Sequence, residues 1–191
     1  MTHIHRIFGL VVLLLISSCK EEQKPKVLKD GSYRAALQVQ DGYELPFIFE
    51  VDGPKKLRIF NAEEVIEVNE IRYSNDSVYI TTPVFEGYIA AVFEGDNLKG
   101  QFIKESRDRA VDFEATFDQK ERFINTAEAQ HDVSGVWETV FSPGIAEDEY
   151  IAKGIFKQDE GKVTGTFRTT TGDYRFLEGV LSGDSLKLSA F

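Results

Sequence analysis

Leu45-Pro46-Phe47-Ile48-Phe49-Glu50-Val51-Asp52-Gly53-Pro54 decides the fold class. Seven residues rich in aromatic and branched side chains run straight into a cluster of turn formers. That is the length and composition of a strand, and too short for a helix. The pattern repeats on both sides. Tyr33 to Val39 roughly alternates and is turned by Asp41-Gly42. Leu57 to Phe60, Val65 to Ile71 and Ser77 to Thr81 follow, then Tyr88 to Phe93, closed by Gly95-Asp96-Asn97. Leu98 to Ile103 and Asp112 to Phe117 complete the series. Glycine, asparagine and aspartate supply the backbone conformations of tight turns, so several connections are hairpins and the strands antiparallel. The expected fold is all-β: an antiparallel meander forming two successive barrel- or sandwich-like β units.

Glu121 to Gln130, with Arg122, Phe123, Ala127 and Ala129, breaks the pattern and reads as a linker with room for a helical turn. The strands then resume. Ser134-Gly135-Val136-Trp137-Glu138-Thr139-Val140 mirrors Asp30-Gly31-Ser32-Tyr33-Arg34-Ala35-Ala36, with a glycine two residues before an aromatic. Gly183-Asp184-Ser185-Leu186-Lys187-Leu188 likewise matches Asn75-Asp76-Ser77-Val78-Tyr79-Ile80. Either one β unit is weakly duplicated, or two unrelated meanders share turn chemistry. The second series stops within an apolar strand at Leu188-Ser189-Ala190-Phe191. The second unit is therefore expected to be incomplete and the chain to be the front of a longer protein. The divisions expected are a leader over 1–18, a spacer over 19–29, a first β unit over 30–120, a linker over 121–133 and a second β unit over 134–191.

The leader is read from its chemistry. Met1 to Ile7 carries Arg6, Phe8 to Ile16 is apolar, and Ser17-Ser18 precede Cys19, the single cysteine of the chain. A basic head, a short apolar core and small residues form a secretory signal. Ile16-Ser17-Ser18-Cys19 resembles the bacterial lipobox, in which that cysteine is acylated and becomes the first mature residue. Cys19 is thus the expected lipidation site and the bilayer the expected partner. Lys20-Glu21-Glu22 resembles the surface-export signal of Bacteroidota lipoproteins, so both the periplasmic face and the cell surface of the outer membrane stay open. With Cys19 acylated, the mature chain has no thiol for a disulfide, a redox pair or a thiolate metal site.

Charge and composition restrict the partners further. The chain carries −10, and loss of Arg6 with the leader leaves −11. Nucleic-acid binding is not expected, since it draws on phosphate neutralisation by Lys and Arg. Fifteen phenylalanines and seven tyrosines against one tryptophan point to a β-rich core. Catalytic chemistry is thin, and neither catalytic residues, a metal site nor a cofactor is expected. His131 beside Asp132 is the one mature histidine and reads as a solvated loop residue. Glu63, Glu64 and Glu67 read as a solvated face, because glycoside hydrolysis needs two carboxylates held across a cleft. Four residues are candidate binding or structural positions: Trp137, Asp173, Tyr174 and Arg175. Tyr174 and Phe176 are expected on one strand face, with Arg175 and Leu177 on the other. Arg175 would meet an acidic ligand, or pair with Asp173 or Glu178. Trp137, whose Gly-x-Trp setting resembles the opening of lipocalin barrels, is expected as a core plug at one barrel end. Asp76-Ser77-Val78 and Asp184-Ser185-Leu186 resemble the O-glycosylation pattern of exported Bacteroidota proteins.

A wider resemblance rests on four stretches. They are Leu45-Pro46-Phe47, Phe60-Asn61-Ala62-Glu63-Glu64, the run from Gly165-Thr166-Phe167 through Gly172-Asp173-Tyr174-Arg175-Phe176 to Leu177-Glu178-Gly179, and Leu188-Ser189-Ala190-Phe191. Together they resemble the N-terminal β region of thioredoxin-like (TlpA/ResA-type) lipoproteins of the Bacteroidota. The resemblance implies a C-terminal thioredoxin domain with a Trp-Cys-x-x-Cys-type site, which maps onto no residue here. It implies a non-catalytic β module that positions the redox domain or recognises its substrate protein. The contrasting reading is a stand-alone, lipocalin-like lipoprotein binding a small apolar molecule. In cells, Cys19→Ala is expected to move the protein from the detergent phase to the aqueous phase on Triton X-114 partitioning; unchanged partitioning removes the lipid anchor.

Overall fold

The computed structural model describes residues 25–191 apart from 41, 85, 125 and 126, and gives only the backbone of Gln40. The expected leader, Cys19 and the export-like Lys20-Glu21-Glu22 lie outside the described residues. Two antiparallel sheets are present. The first holds β1 (Gly31–Gln40), β2 (Tyr43–Val51), β3 (Leu57–Asn61), β4 (Glu64–Val68), β5 (Ile71–Ser74), β6 (Ser77–Thr82), β7 (Gly87–Glu94), β8 (Asn97–Lys104) and β9 (Arg109–Phe117). The second holds β10 (Gly135–Phe141), β11 (Tyr150–Asp159), β12 (Lys162–Arg168), β13 (Asp173–Ser182) and β14 (Ser185–Ser189).

The first sheet runs in the order β4-β3-β2-β1-β9-β8-β7-β6-β5. Its margins, β4 and β5, are joined by only Asn69-Glu70, so the sheet curls into a nearly closed barrel. Thr81 N donates to Glu70 O (3.0 Å), which extends the β5–β6 ladder into this corner. Alternate residues point inward and are buried: Tyr33, Ala35 and Leu37 on β1, Phe47, Phe49 and Val51 on β2, Leu57 and Ile59 on β3. Ile66 and Val68 are inward on β4, and Ile71 is inward on β5. That odd interval explains why Val65 to Ile71 is two strands where the sequence reads as one. In one straight strand Ile71 would face opposite to Ile66 and Val68, and the two-residue corner restores it to the core.

The barrel interior is filled by rings. Tyr33 stacks on Phe49 with centroids 4.8 Å apart, and Phe47 lies 6.4 Å from Phe113. Burying a side chain of this size stabilises by about 1.5–3 kcal/mol. Leu28 and Tyr33 belong to one end, where Lys29 N donates to Tyr33 Oη (3.1 Å). At the other end Phe191 stacks on Phe47 at 4.1 Å and meets Phe102 edge-on at 6.0 Å.

The second sheet keeps chain order, β10 to β14, and forms a half-barrel with free edges at β10 and β14. Its opening matches that of the first: Gly31 (φ 129°) and Gly135 (φ 122°) both adopt a backbone conformation strained for any side chain. The interval 121–133 contains no helix among its described residues, and it is more than a spacer. Arg122 is 5 % exposed. Its Nη1 donates to Ser189 O (3.0 Å) and Oγ (3.3 Å), while Nη2 donates to Phe60 O and to Asn61 Oδ1 (3.2 Å). Glu178 Oε1 stands 4.0 Å from its Nε. Asn61 also takes Phe191 N (3.0 Å) and donates to Phe191 O (2.7 Å), and Ser189 Oγ donates to Pro46 O (2.7 Å). One guanidinium thus ties β3 of the barrel to β14 of the second sheet. Burial lowers the Arg122 pKa from its ordinary value, with Glu178 opposing that shift. Arg122→Ala strands buried acceptors, and the expected loss is about 3 kcal/mol. In urea, wild type should unfold in one transition and Arg122→Ala in two; a single transition at the wild-type midpoint contradicts this role.

Candidate functional site

The second sheet has two unlike faces. Cross-strand register places Trp137, Gly154, Phe167 and Tyr174 in one row and Gly135, Phe156, Gly165 and Leu177 in the next. Phe141 pairs with Tyr150 on the same face. Gly154 and Gly165 leave the space into which the Phe156 ring lies; a Cβ at either position would meet that ring. The rings then form a continuous cluster. Phe141 stacks on Tyr150 (5.0 Å) and meets Phe167 edge-on (5.1 Å), which in turn meets Phe156 (5.4 Å). In a closed barrel this would be the interior. Here Trp137 is 49 % and Tyr174 53 % exposed.

Trp137 is therefore not the core plug expected from its sequence setting, although its counterpart Tyr33 is fully buried. The reason is tertiary: β10 is a free edge, whereas β1 lies between β2 and β9. Trp137 Nε1 donates to Val133 O (2.9 Å), which holds the indole across the edge of the cluster. Tyr150 Oη and Tyr174 Oη share a hydrogen bond of 3.1 Å. That bond, with a smaller effect of burial, raises the Tyr150 pKa above the usual tyrosine value.

Asp173, Tyr174 and Arg175 open β13 beside a bulge. Gly165 pairs with Leu177 but Phe167 with Tyr174, so β13 carries one residue more than β12. Phe176 takes up the excess with φ 59°. Simple alternation of Tyr174 and Phe176 against Arg175 and Leu177 therefore fails. Arg175 Nε stands 3.5 Å and Arg168 Nε 4.0 Å from Asp173. Both arginines are largely exposed, so these pairs contribute little. Asp173 is the sequence-read partner that Arg175 meets; Glu178 instead faces Arg122 and Lys162. Arg168, Arg175, Lys157 and Glu63 line a cleft of about 490 Å3 between this reverse face and the β3–β4 turn.

The other candidates are scattered. His131 Nε2 lies 3.0 Å from Asp184, and both are exposed. Hydrogen bonding from Ser134, first from its hydroxyl and then from its backbone N–H (2.8 Å), lowers the Asp132 pKa. Glu64 accepts from Asn61 Nδ2 (3.2 Å), Glu67 faces Lys56 (3.7 Å), and Glu63 borders the cleft. Ser77 and Ser185 each follow a two-residue hairpin turn. Among the described residues no group of three His, Cys, Asp or Glu could hold a metal. The sequence reading missed Phe141, Tyr150, Phe156 and Phe167 as one surface, and missed Arg122. The period-two row Gly135, Trp137, Thr139, Phe141 carried a signal for the first; nothing local marks a buried linker arginine.

No family model, curated protein or solved structure matches the chain. The surface must be judged by its geometry. Trp137 is the single tryptophan, so the folded chain is expected to show a solvent-like emission that acrylamide quenches nearly as well as free indole. A buried, unquenched indole would mean that this face is covered.

Proposed function

We propose that this chain is the non-catalytic β module of an exported, lipid-anchored, thioredoxin-like protein, and that its second sheet recognises the substrate polypeptide. The observation that carries this reading is where the family-like run falls. Residues 165–179 build the β12–β13 hairpin, which sets Phe167 and Tyr174 in the middle of the open aromatic face. Exposed rings offer large apolar area with few side-chain torsions to immobilise. The β10 edge beside them offers unpaired backbone groups to an extended segment. Substrates of thiol–disulfide exchange present such segments when incompletely folded, with apolar side chains exposed. The contrasting reading, a carrier of a small apolar molecule, meets a barrel interior occupied by Phe47, Phe49 and Phe113. Its open apolar volume lies at the barrel mouth.

Reduced, carboxymethylated ribonuclease A is the probe for the first reading. Adding it should shift Trp137 emission to the blue, native ribonuclease A should not, and Tyr150→Asp should weaken the response about tenfold or more. No shift, or an equal shift with the native protein, overturns substrate recognition by this face.

A further inference from the structure

The mouth of the barrel poses a separate question. The inward row on β8 ends Phe102, Lys104, and the inward row on β9 begins Arg109, Val111, Phe113. Lys104 and Arg109 are directly paired across the strands. Like charges in that position are destabilising. Arg107, in the 3-10 turn Glu105–Arg107 that joins the two strands, adds a third positive charge. Lys104 has only Glu86, at 3.8 Å and largely exposed, and Arg107 and Arg109 have no ion pair among the described residues. Elsewhere on the barrel, Arg34 pairs with Glu44, Arg58 with Glu50 and Lys99 with Glu114. Glu105, next to Lys104, accepts from Tyr88 Oη (3.3 Å) instead, and Asp108, which adjoins both Arg107 and Arg109 in sequence, forms no ion pair with either among the described residues. In a chain of net charge −10, three clustered cations with one weak ion pair among the described residues need an explanation.

What they surround supplies it. A cleft of about 280 Å3 opens there, lined by Leu37, Val39, Leu45, Phe102, Val111 and Phe191, with Lys104, Arg107 and Arg109 among its walls. Long basic side chains can lay their stems along apolar walls and keep their heads at the rim. The site is thus apolar in its depth and cationic at its lip. From this geometry we infer that the barrel mouth binds a medium-chain fatty acid or an equivalent single-tailed carboxylate, tail inward against Phe102 and Phe191 and head among Lys104, Arg107 and Arg109. A neutral apolar molecule would leave the cations unanswered, and a bare anion would leave the apolar walls wet. This inference is independent of substrate recognition by the aromatic face.

The test is calorimetry of the lipid-free chain with three probes below micellar concentration: decanoate, decanol and inorganic phosphate. Decanoate is expected to bind at one site, decanol about tenfold or more weakly, and phosphate not measurably. Arg107→Glu with Arg109→Glu should lower decanoate affinity about tenfold or more. Both residues are exposed and have no ion pair among the described residues, so an unchanged urea midpoint is the check on folding. Trp137 emission should stay constant throughout. Equal affinity for decanoate and decanol, tight phosphate binding, an unaffected double variant, a Trp137 shift or no decanoate binding would each overturn the assignment.

Discussion

The fork of hydrogen bonds from Arg122 is the interaction on which the arrangement of the two sheets rests. A buried guanidinium tolerates low dielectric only when its charge is answered. The acceptors of Nη1 and Nη2 come from both sheets, while Nε has no hydrogen-bond acceptor among the described residues and faces the Glu178 carboxylate at 4.0 Å. The Phe60 carbonyl and Asn61 lie on β3, Ser189 on β14. The demand of one charge for acceptors therefore fixes where the second sheet sits on the barrel. Asn61 extends the joint by pairing both ways with the backbone of Phe191, whose ring then stacks on Phe47.

That joint divides the surface into parts with different chemistry. By anchoring β14 and the reverse face of β13, it turns the aromatic face of the half-barrel away from the Arg122 contacts. By holding Phe191 against Phe47 and Phe102, it gives the barrel mouth an apolar wall next to Lys104, Arg107 and Arg109. The two surfaces differ in kind: a broad ring cluster beside a free strand edge suits a polypeptide, and a small cationic-lipped cleft suits a tailed anion.

Most strands could be read directly, because alternation and turn residues are local signals. Leu45 to Val51 and Leu98 to Ile103 fall within strands that the structure contains, β2 and β8. The reading failed where parity mattered. Val65 to Ile71 hides a corner that reveals itself only when Ile66, Val68 and Ile71 must all face one core. The Tyr174–Leu177 stretch hides a bulge, since an extra residue becomes visible only against the register of a partner strand. The aromatic face was partly legible in the spacing of Trp137, Thr139 and Phe141. Arg122 was not, because its acceptors lie more than sixty residues away in sequence.

The sequence by itself determined the class of structure: antiparallel strands, their turns and two successive sheets, all from the period of apolar residues and the backbone preferences of glycine, asparagine and aspartate. Tertiary structure decided which of two similar strands is buried. Tyr33 and Trp137 follow the same glycine spacing, yet one is sealed inside a nearly closed barrel and the other stands at an open edge. Alternation sets which face a side chain takes. Whether that face becomes an interior depends on how many strands close around it, and that is a property of pairing across the whole sheet.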